Sequence, residues 1–233
     1  MTTDPASNDK VLKPHQTALV MAALAAFATT VVPALNSLTL PIQYFNTHTH
    51  ELCHALTAVA TGGQVSHIEV HWDGSGVTPI GGSILTFTAS AGYVGASLIG
   101  ALMILYGRTS QKAKQTMFAL GAILALSTLI WVRGDLSGLL TGTLWATALL
   151  FGSRLGGQTP LYVVQFLGVM QCLYSLKDLL ILLHLSAGTQ QPTDALLMQS
   201  VSHVPAIFWA LAWSGMSLVL MFIGLRAAWR SKA

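Results

Sequence analysis

The stretch H-T-H-E-L-C-H-A-L, residues 48–56, contains the pattern H-E-x-x-H, whose three defined positions are His50, Glu51 and His54. On a helix, residues i and i+4 lie on the same face one turn apart, so the two imidazoles can bind one Zn²⁺. The glutamate between them can deprotonate a water molecule that the zinc activates. Such a short pattern also arises by chance in a chain with 8 histidines, so the rest of the sequence must show whether it marks a zinc site.

The composition indicates an integral membrane protein. Of the 233 residues, 53% are hydrophobic and only 8% are charged, and the mean hydropathy is +0.62. Soluble domains carry about 25% charged residues, so this chain has too few charges to cover a surface exposed to water. The net charge of +3 fits lysines and arginines in cytoplasmic loops. The sequence has no basic patch with interleaved aromatic residues, so we expect no nucleic-acid binding. The expected partners are the lipid bilayer and a membrane-protein substrate.

Runs of about 20 apolar residues predict the membrane spans. They occupy residues 17–35, 84–106, 115–132, 136–151, 161–185 and 204–225, and a less apolar helix with the histidines covers residues 46–61. Pro41 is expected to break the chain between the first two helices. We therefore predict an all-α polytopic membrane protein, a bundle of about six to seven transmembrane helices. In a bacterium it would be a multi-pass protein of the inner membrane.

Two further segments complete the predicted organisation. Residues 1–15 are polar and are expected to form a disordered tail, and residues 16–233 to form one membrane-embedded domain. Within that domain, residues 64–83 alternate loosely between apolar and polar residues around the turn D-G-S-G at 73–76. This pattern predicts a small β-hairpin after the histidine helix. An exposed hairpin edge could pair with an unwound segment of a substrate.

The third zinc ligand has to come from outside the H-E-x-x-H pattern, because a catalytic zinc takes three protein ligands. A second nearby histidine is absent, since residues 55–60 are A-L-T-A-V-A. The only other glutamate, Glu69, lies in the hairpin, so no later helix supplies a glutamate ligand. The remaining candidates are a histidine elsewhere in the chain and four aspartates, Asp73, Asp135, Asp178 and Asp194.

Asp178 is the favoured third ligand. It lies within a predicted spanning helix, where an ionisable side chain needs a metal or a charged partner, and neighbouring Lys177 is the alternative partner. Asp194 stays open as a ligand, although capping of a helix N-terminus is its simpler explanation. Asp73 and Asp135 lie in short turns, where local hydrogen bonding explains an aspartate.

Several motifs together resemble the site-2 protease family of intramembrane zinc metallopeptidases, in particular its short divergent branch without a PDZ domain. These motifs are H-E-L-C-H-A-L-T-A-V-A-T-G-G at 50–63, the hairpin with Gly74, Gly76 and Thr78, A-G-Y-V-G at 91–95, and a late apolar helix with an aspartate. The resemblance implies zinc bound by His50, His54 and Asp178, with Glu51 as general base and later proton donor. The N-x-x-P-x-x-D-G context of better-known members is replaced here by S-L-K-D-L at 175–179.

The predicted function is therefore that of an intramembrane zinc metalloendopeptidase, which hydrolyses peptide bonds of membrane-embedded substrates through a zinc-activated water. Two alternatives are a catalytically inactive membrane protein of the same fold and a metal transporter. A transporter is expected to carry several acidic or histidine residues along a membrane path, and an inactive protein is expected to have lost Glu51. The sequence predicts no particular substrate-binding residues.

Overall fold

The computed structural model describes residues 12–32, 36–188 and 193–230, except for the side chains of residues 30, 31, 36–38, 178, 181 and 183–188. Residues 1–11 of the predicted polar tail lie outside this description. The described chain contains eight helices and four short strands. In chain order these are α1 (Pro14–Val31), α2 (Asn36–Ala60), β1 (Gln64–Val65), β2 (Glu69–Val70), β3 (Gly76–Val77), β4 (Ile80–Gly81), α3 (Leu85–Tyr106), α4 (Ser110–Ile130), α5 (Leu136–Gly152), α6 (Thr159–Gly188), α7 (Asp194–Ser202) and α8 (Ala206–Arg230).

Four of the described helices are long and apolar enough to cross a membrane: α3, α4, the part of α6 up to Lys177, and α8. α5 is apolar as well but has only 17 residues. Large apolar side chains point outward from these helices, among them Leu129, which is 72% exposed, and Phe222, which is 60% exposed. Such faces suit contact with hydrocarbon rather than water. The predicted all-α polytopic membrane architecture is confirmed, and α7 is an additional short helix.

The expected break at Pro41 is wrong, because this proline lies inside α2, which is one continuous helix of 25 residues. Proline lacks the N–H that would bond the preceding turn and costs about 3 kcal/mol in a helix interior. Packing offsets this cost. The six consecutive residues from Tyr44 to Thr49 are all buried, so protein surrounds the middle of α2 on every side. The indole nitrogen of Trp145 also donates a hydrogen bond to the Pro41 carbonyl at 2.7 Å.

The predicted hairpin is present as two antiparallel strand pairs. β1 pairs with β4 and, further toward the tip, β2 pairs with β3. At the tip, the Ser75 amide and hydroxyl both donate hydrogen bonds to Oδ1 of Asp73, and Gly74 adopts the left-handed region that the turn requires. The Thr47 hydroxyl donates to the Gly74 carbonyl at 2.7 Å. This contact holds the hairpin tip against α2.

Polar contacts set the rotation of α2 within the bundle. The Gln171 amide of α6 donates hydrogen bonds to Asn46 Oδ1 and Thr49 Oγ1, at 3.0 and 2.6 Å. His48 Nε2 lies 2.9 Å from the Thr141 hydroxyl of α5. Because His48 faces α5, the residues at positions 50 and 54 are directed to the other side, toward α3 and α7.

Candidate active site

The three residues of the H-E-x-x-H pattern lie on α2. The Nε2 atoms of His50 and His54 are 3.0 Å apart, as expected for side chains one helical turn apart. His54 and Glu51 are buried, and His50 is partly buried. The two imidazoles therefore present their Nε2 atoms to a common point, as a metal site requires.

The short helix α7 brings a carboxylate to the same point. Asp194 Oδ2 lies 3.4 Å from His54 Nε2 and 3.7 Å from His50 Nε2. In these three side chains, the possible ligand atoms all lie within 4.8 Å of one another. Among the described residues, no other group of three or more His, Cys, Asp or Glu side chains is spaced so closely. Helix capping does not explain Asp194, because the N-cap of α7 is Thr193, whose hydroxyl accepts a hydrogen bond from the Leu196 amide.

The other aspartates considered as ligands have different surroundings. Asp73 accepts its hydrogen bonds within the hairpin turn. Asp135 forms a hydrogen bond with Nδ1 of His71 at 2.5 Å. Asp178 belongs to α6, but its side chain is outside the described part of the structure, so its role as third ligand stays a prediction. The structure thus brings together His50 and His54, which the sequence predicted, and Asp194, which the sequence left as an alternative.

The donor set fits a zinc ion. Bond lengths of about 2.0–2.2 Å place the donors of a tetrahedral zinc about 3.3–3.6 Å apart, and the separations here are 3.0, 3.4 and 3.7 Å. Two imidazole nitrogens and one carboxylate oxygen are also a common catalytic zinc set. Gly92 of α3 keeps the space in front of the histidines free, because a Cβ atom at this position would overlap Nε2 of both. In the sequence, the only signal for Gly92 was its place in the A-G-Y-V-G motif.

Neighbouring groups orient the histidines. His54 Nδ1 donates a hydrogen bond to the Thr88 carbonyl at 2.7 Å, which leaves the Nε2 lone pair for a metal. The ring of Tyr93 stands edge-on to His50 at 4.6 Å and stacks on Trp213 of α8 at 5.5 Å. Burial raises the pKa of Asp194, whereas the charges and hydrogen bonds of His54 and His50, when these are protonated, lower it overall. A bound metal ion would replace those protons, because metal ligands are neutral imidazoles and an ionised carboxylate.

Two cavities meet at His50 and Glu51. The first, of about 210 Å³, is lined in part by the polar residues Gln43, Asn46 and Thr47. The second, of about 570 Å³, runs between hairpin residues 76–80 and the start of α7. The arrangement thus joins a three-donor cluster, a carboxylate, a polar cavity and a larger second cavity, here called the groove, which are the parts that metal-assisted hydrolysis needs.

Comparison with family models gives a match to Peptidase M50B-like over residues 19–224. Comparisons with curated proteins and with solved structures find no match for the chain. The matched region includes α2, the hairpin, α3, α6 and α7, and therefore every residue of the site. It covers most of the chain, so the predicted membership of the site-2 protease family is confirmed. The chain belongs to the Peptidase M50B-like family.

Proposed function

We propose that the chain is an intramembrane zinc metalloendopeptidase that cleaves membrane-embedded segments of other proteins. The observation that carries this proposal is the convergence of His50, His54 and Asp194 beside the carboxylate of Glu51. Membership of a peptidase family and four helices able to span a membrane support the same function. In a bacterial cell we place the protein in the inner membrane.

In this proposal His50, His54 and Asp194 hold the zinc ion. The chemistry that zinc supplies when bound is polarisation of the scissile carbonyl and acidification of a water molecule. Glu51 accepts the proton of the attacking water and later returns it to the leaving amine. Thr88 and Tyr93 keep the two imidazoles oriented during these proton transfers. Water reaches Glu51 through the polar cavity lined by Gln43, Asn46 and Thr47.

The substrate lies in the groove along hairpin residues 76–80 in this proposal. A helical segment hides its peptide groups in internal hydrogen bonds, so cleavage requires a locally extended backbone. The groove has a volume of about 570 Å³, and its lining includes the apolar side chains of Val77, Ile80, Leu196 and Leu197. An unwound apolar segment could pair with the hairpin backbone while its side chains contact these walls.

The alternatives of an inactive protein or a metal transporter are weaker. Glu51 is retained, and its carboxylate lines both cavities that reach the histidines. A transporter needs successive binding sites along a membrane path. The described residues contain a single His/Asp cluster with metal-ligand spacing, so no such path is formed in this part of the chain.

The test uses the full-length protein in detergent, with zinc analysis and cleavage of a reporter polypeptide that has one apolar helix of about 20 residues. Glu51→Gln should keep about one equivalent of zinc and lose about 10²–10⁴-fold in cleavage rate. Glu69→Gln is the matched control, because Glu69 contacts hairpin histidines away from the cluster, and it should retain both properties. Wild-type protein that binds zinc but cleaves no faster than Glu51→Gln would favour the inactive alternative.

A further inference from the structure

The hairpin contacts the carboxylate of Glu51 directly. The Thr78 hydroxyl donates a hydrogen bond to Glu51 Oε2 at 2.7 Å and is 3.4 Å from the Glu51 carbonyl oxygen. A hydroxyl has one hydrogen to donate, and the shorter contact to a charged acceptor is the stronger one. Thr78 therefore fixes one oxygen of the carboxylate.

The second carboxylate oxygen lies over Gly76. A Cβ atom at Gly76 would come within 2.7 Å of Glu51 Oε1 and within 2.8 Å of Glu51 Cγ. Any side chain at this position would displace the carboxylate or cover Oε1. Both cavities at the site include Glu51 and Gly76 in their walls, so the glycine keeps Oε1 accessible from the cavities.

We propose that Thr78 and Gly76 are positioning residues for the general base, with Thr78 holding Oε2 and Gly76 leaving Oε1 free to take the proton of water. This inference rests on the proposed function, since it takes Glu51 as the base. A carboxylate that can rotate freely would spend only part of its time with an oxygen directed at water, and misplacement of a catalytic group by about 1 Å can cost about 10²-fold in rate. The hydroxyl of Thr78 removes that rotation.

The same hairpin segment links the base to the substrate groove. Residues 76–80 line the groove while Thr78 holds Glu51, so a peptide that pairs with this segment contacts the element that aligns the base. Substrate docking and alignment of Glu51 are therefore coupled through one short stretch of backbone. A ligand that displaces this stretch changes the position of the carboxylate.

The experiment compares Thr78→Val, which keeps the shape but removes the hydroxyl, with Thr78→Ser, which keeps the hydroxyl. Thr116→Val is the matched control, because it removes a threonine hydroxyl that bonds a helix carbonyl on the exposed surface of α4. Zinc content and the kcat and KM for the reporter polypeptide are measured on each full-length protein. Hydrogen exchange of the amides of residues 76–78 and 80, which flank Pro79, is measured on the same proteins after metal removal and gives a readout independent of cleavage.

We expect Thr78→Val to retain its zinc, to lower kcat by about 10–100-fold with KM within about twofold, and to speed exchange at 76–78 and 80 by about tenfold. The hairpin tip stays attached through the bond from Thr47 to Gly74, so the variant should fold. Thr78→Ser and Thr116→Val should resemble the wild type. Unchanged exchange or unchanged kcat in Thr78→Val overturns the inference, and so does a loss of kcat that Thr78→Ser fails to restore. A wild-type protein without zinc or cleavage instead refutes the proposed function, and a positioning role for Thr78 with it.

Discussion

Two sides of the site are built in different ways. The helical wall, formed by α2 and α3, supplies His50, His54 and Gly92 from helices of 25 and 22 residues. The cover, formed by the hairpin at 64–83 and by the nine-residue helix α7, supplies Thr78 and Asp194. The wall gains its geometry from extensive helix packing. The cover completes the site with elements too short to be stable alone.

The cover is attached to the bundle by a few buried apolar side chains, Ile68 and Val70 of the hairpin and Ala195 and Met198 of α7, and by individual polar contacts. The Ser137 hydroxyl donates to the Val70 carbonyl of the hairpin. The Trp209 indole donates to the Ser202 hydroxyl at 3.1 Å, and Gln199 Oε1 accepts from the Ala206 amide at 2.8 Å, which joins α7 to α8. Elements held by few contacts open locally at lower free energy than packed helices. We therefore expect changes in the wall to have larger effects than changes in the cover.

The largest effect is expected in the wall, from Gly92→Ala. The new Cβ would overlap Nε2 of His50 and of His54. Loss of a residue that only hydrogen-bonds a metal ligand lowers metal affinity by roughly 10–100-fold, and we expect this direct clash to lower zinc affinity by more. Zinc titration of purified protein measures this. Gly215→Ala in α8 is the control, because a Cβ there has no neighbour within 4 Å. Full zinc affinity in Gly92→Ala with an intact fold would mean that the metal does not lie between the histidines and α3.

A smaller effect is expected in the cover, from Asp194→Asn. The amide keeps the size of the carboxylate but loses its charge, so zinc affinity should fall by about 10–100-fold. Asp178→Asn is the matched comparison and should leave zinc affinity within about threefold of the wild type. Affinities from competition with a chelator distinguish the two variants. The opposite ranking would assign the third ligand to Asp178, as the sequence predicted.

The smallest effect is expected where the hairpin meets the start of α5. A hydrogen bond with Asp135, together with the charges of Asp135, Glu69 and Asp73, raises the pKa of His71 above its ordinary value of 6.5 despite some burial. The attraction is therefore complete below pH 6.5 and is lost as the pH rises through the raised value. Both side chains are substantially exposed, so solvent screening limits the contribution.

Hydrogen exchange of residues 68–77 tests this contact. The ratio of exchange rates between Asp135→Asn and the wild type should reach at most about fivefold near pH 6. It should decline toward one as the pH rises, and amides of α4 serve as the internal reference. A ratio that is the same at every pH would show that protonation of His71 does not hold the hairpin.

The sequence predicted the wall much better than the cover. His50, Glu51 and His54 lie within five residues, so helical periodicity alone brings them together. Asp194 is 140 positions from His54, and only the packing of α7 against the bundle decides which aspartate reaches the histidines. The sequence left Asp194 open as a ligand but favoured a helix cap, a role that the structure gives to Thr193. The hairpin followed from its D-G-S-G turn, but its contact with Glu51 depends on tertiary structure.

The error at Pro41 has a similar cause. Proline predicts a break from local backbone chemistry, whereas burial of Tyr44 to Thr49 and the hydrogen bond from Trp145 stabilise a continuous helix. Gly92 was missed for a different reason, because a glycine that makes room for a ligand and a glycine that lets helices pack look alike in a sequence.

The enclosure of α2 affects how the topology of this protein is assigned. Polar residues are tolerated throughout this helix because protein rather than lipid surrounds its middle, and for the same reason α2 is absent from the helices that length and hydropathy select as spans. Its 25 residues extend about 37 Å, more than the thickness of a hydrocarbon core. If α2 crosses the membrane, every later loop lies on the opposite side from the one assigned when α2 is not counted as a span. Reporter fusions on both sides of α2 are therefore needed to orient the protein.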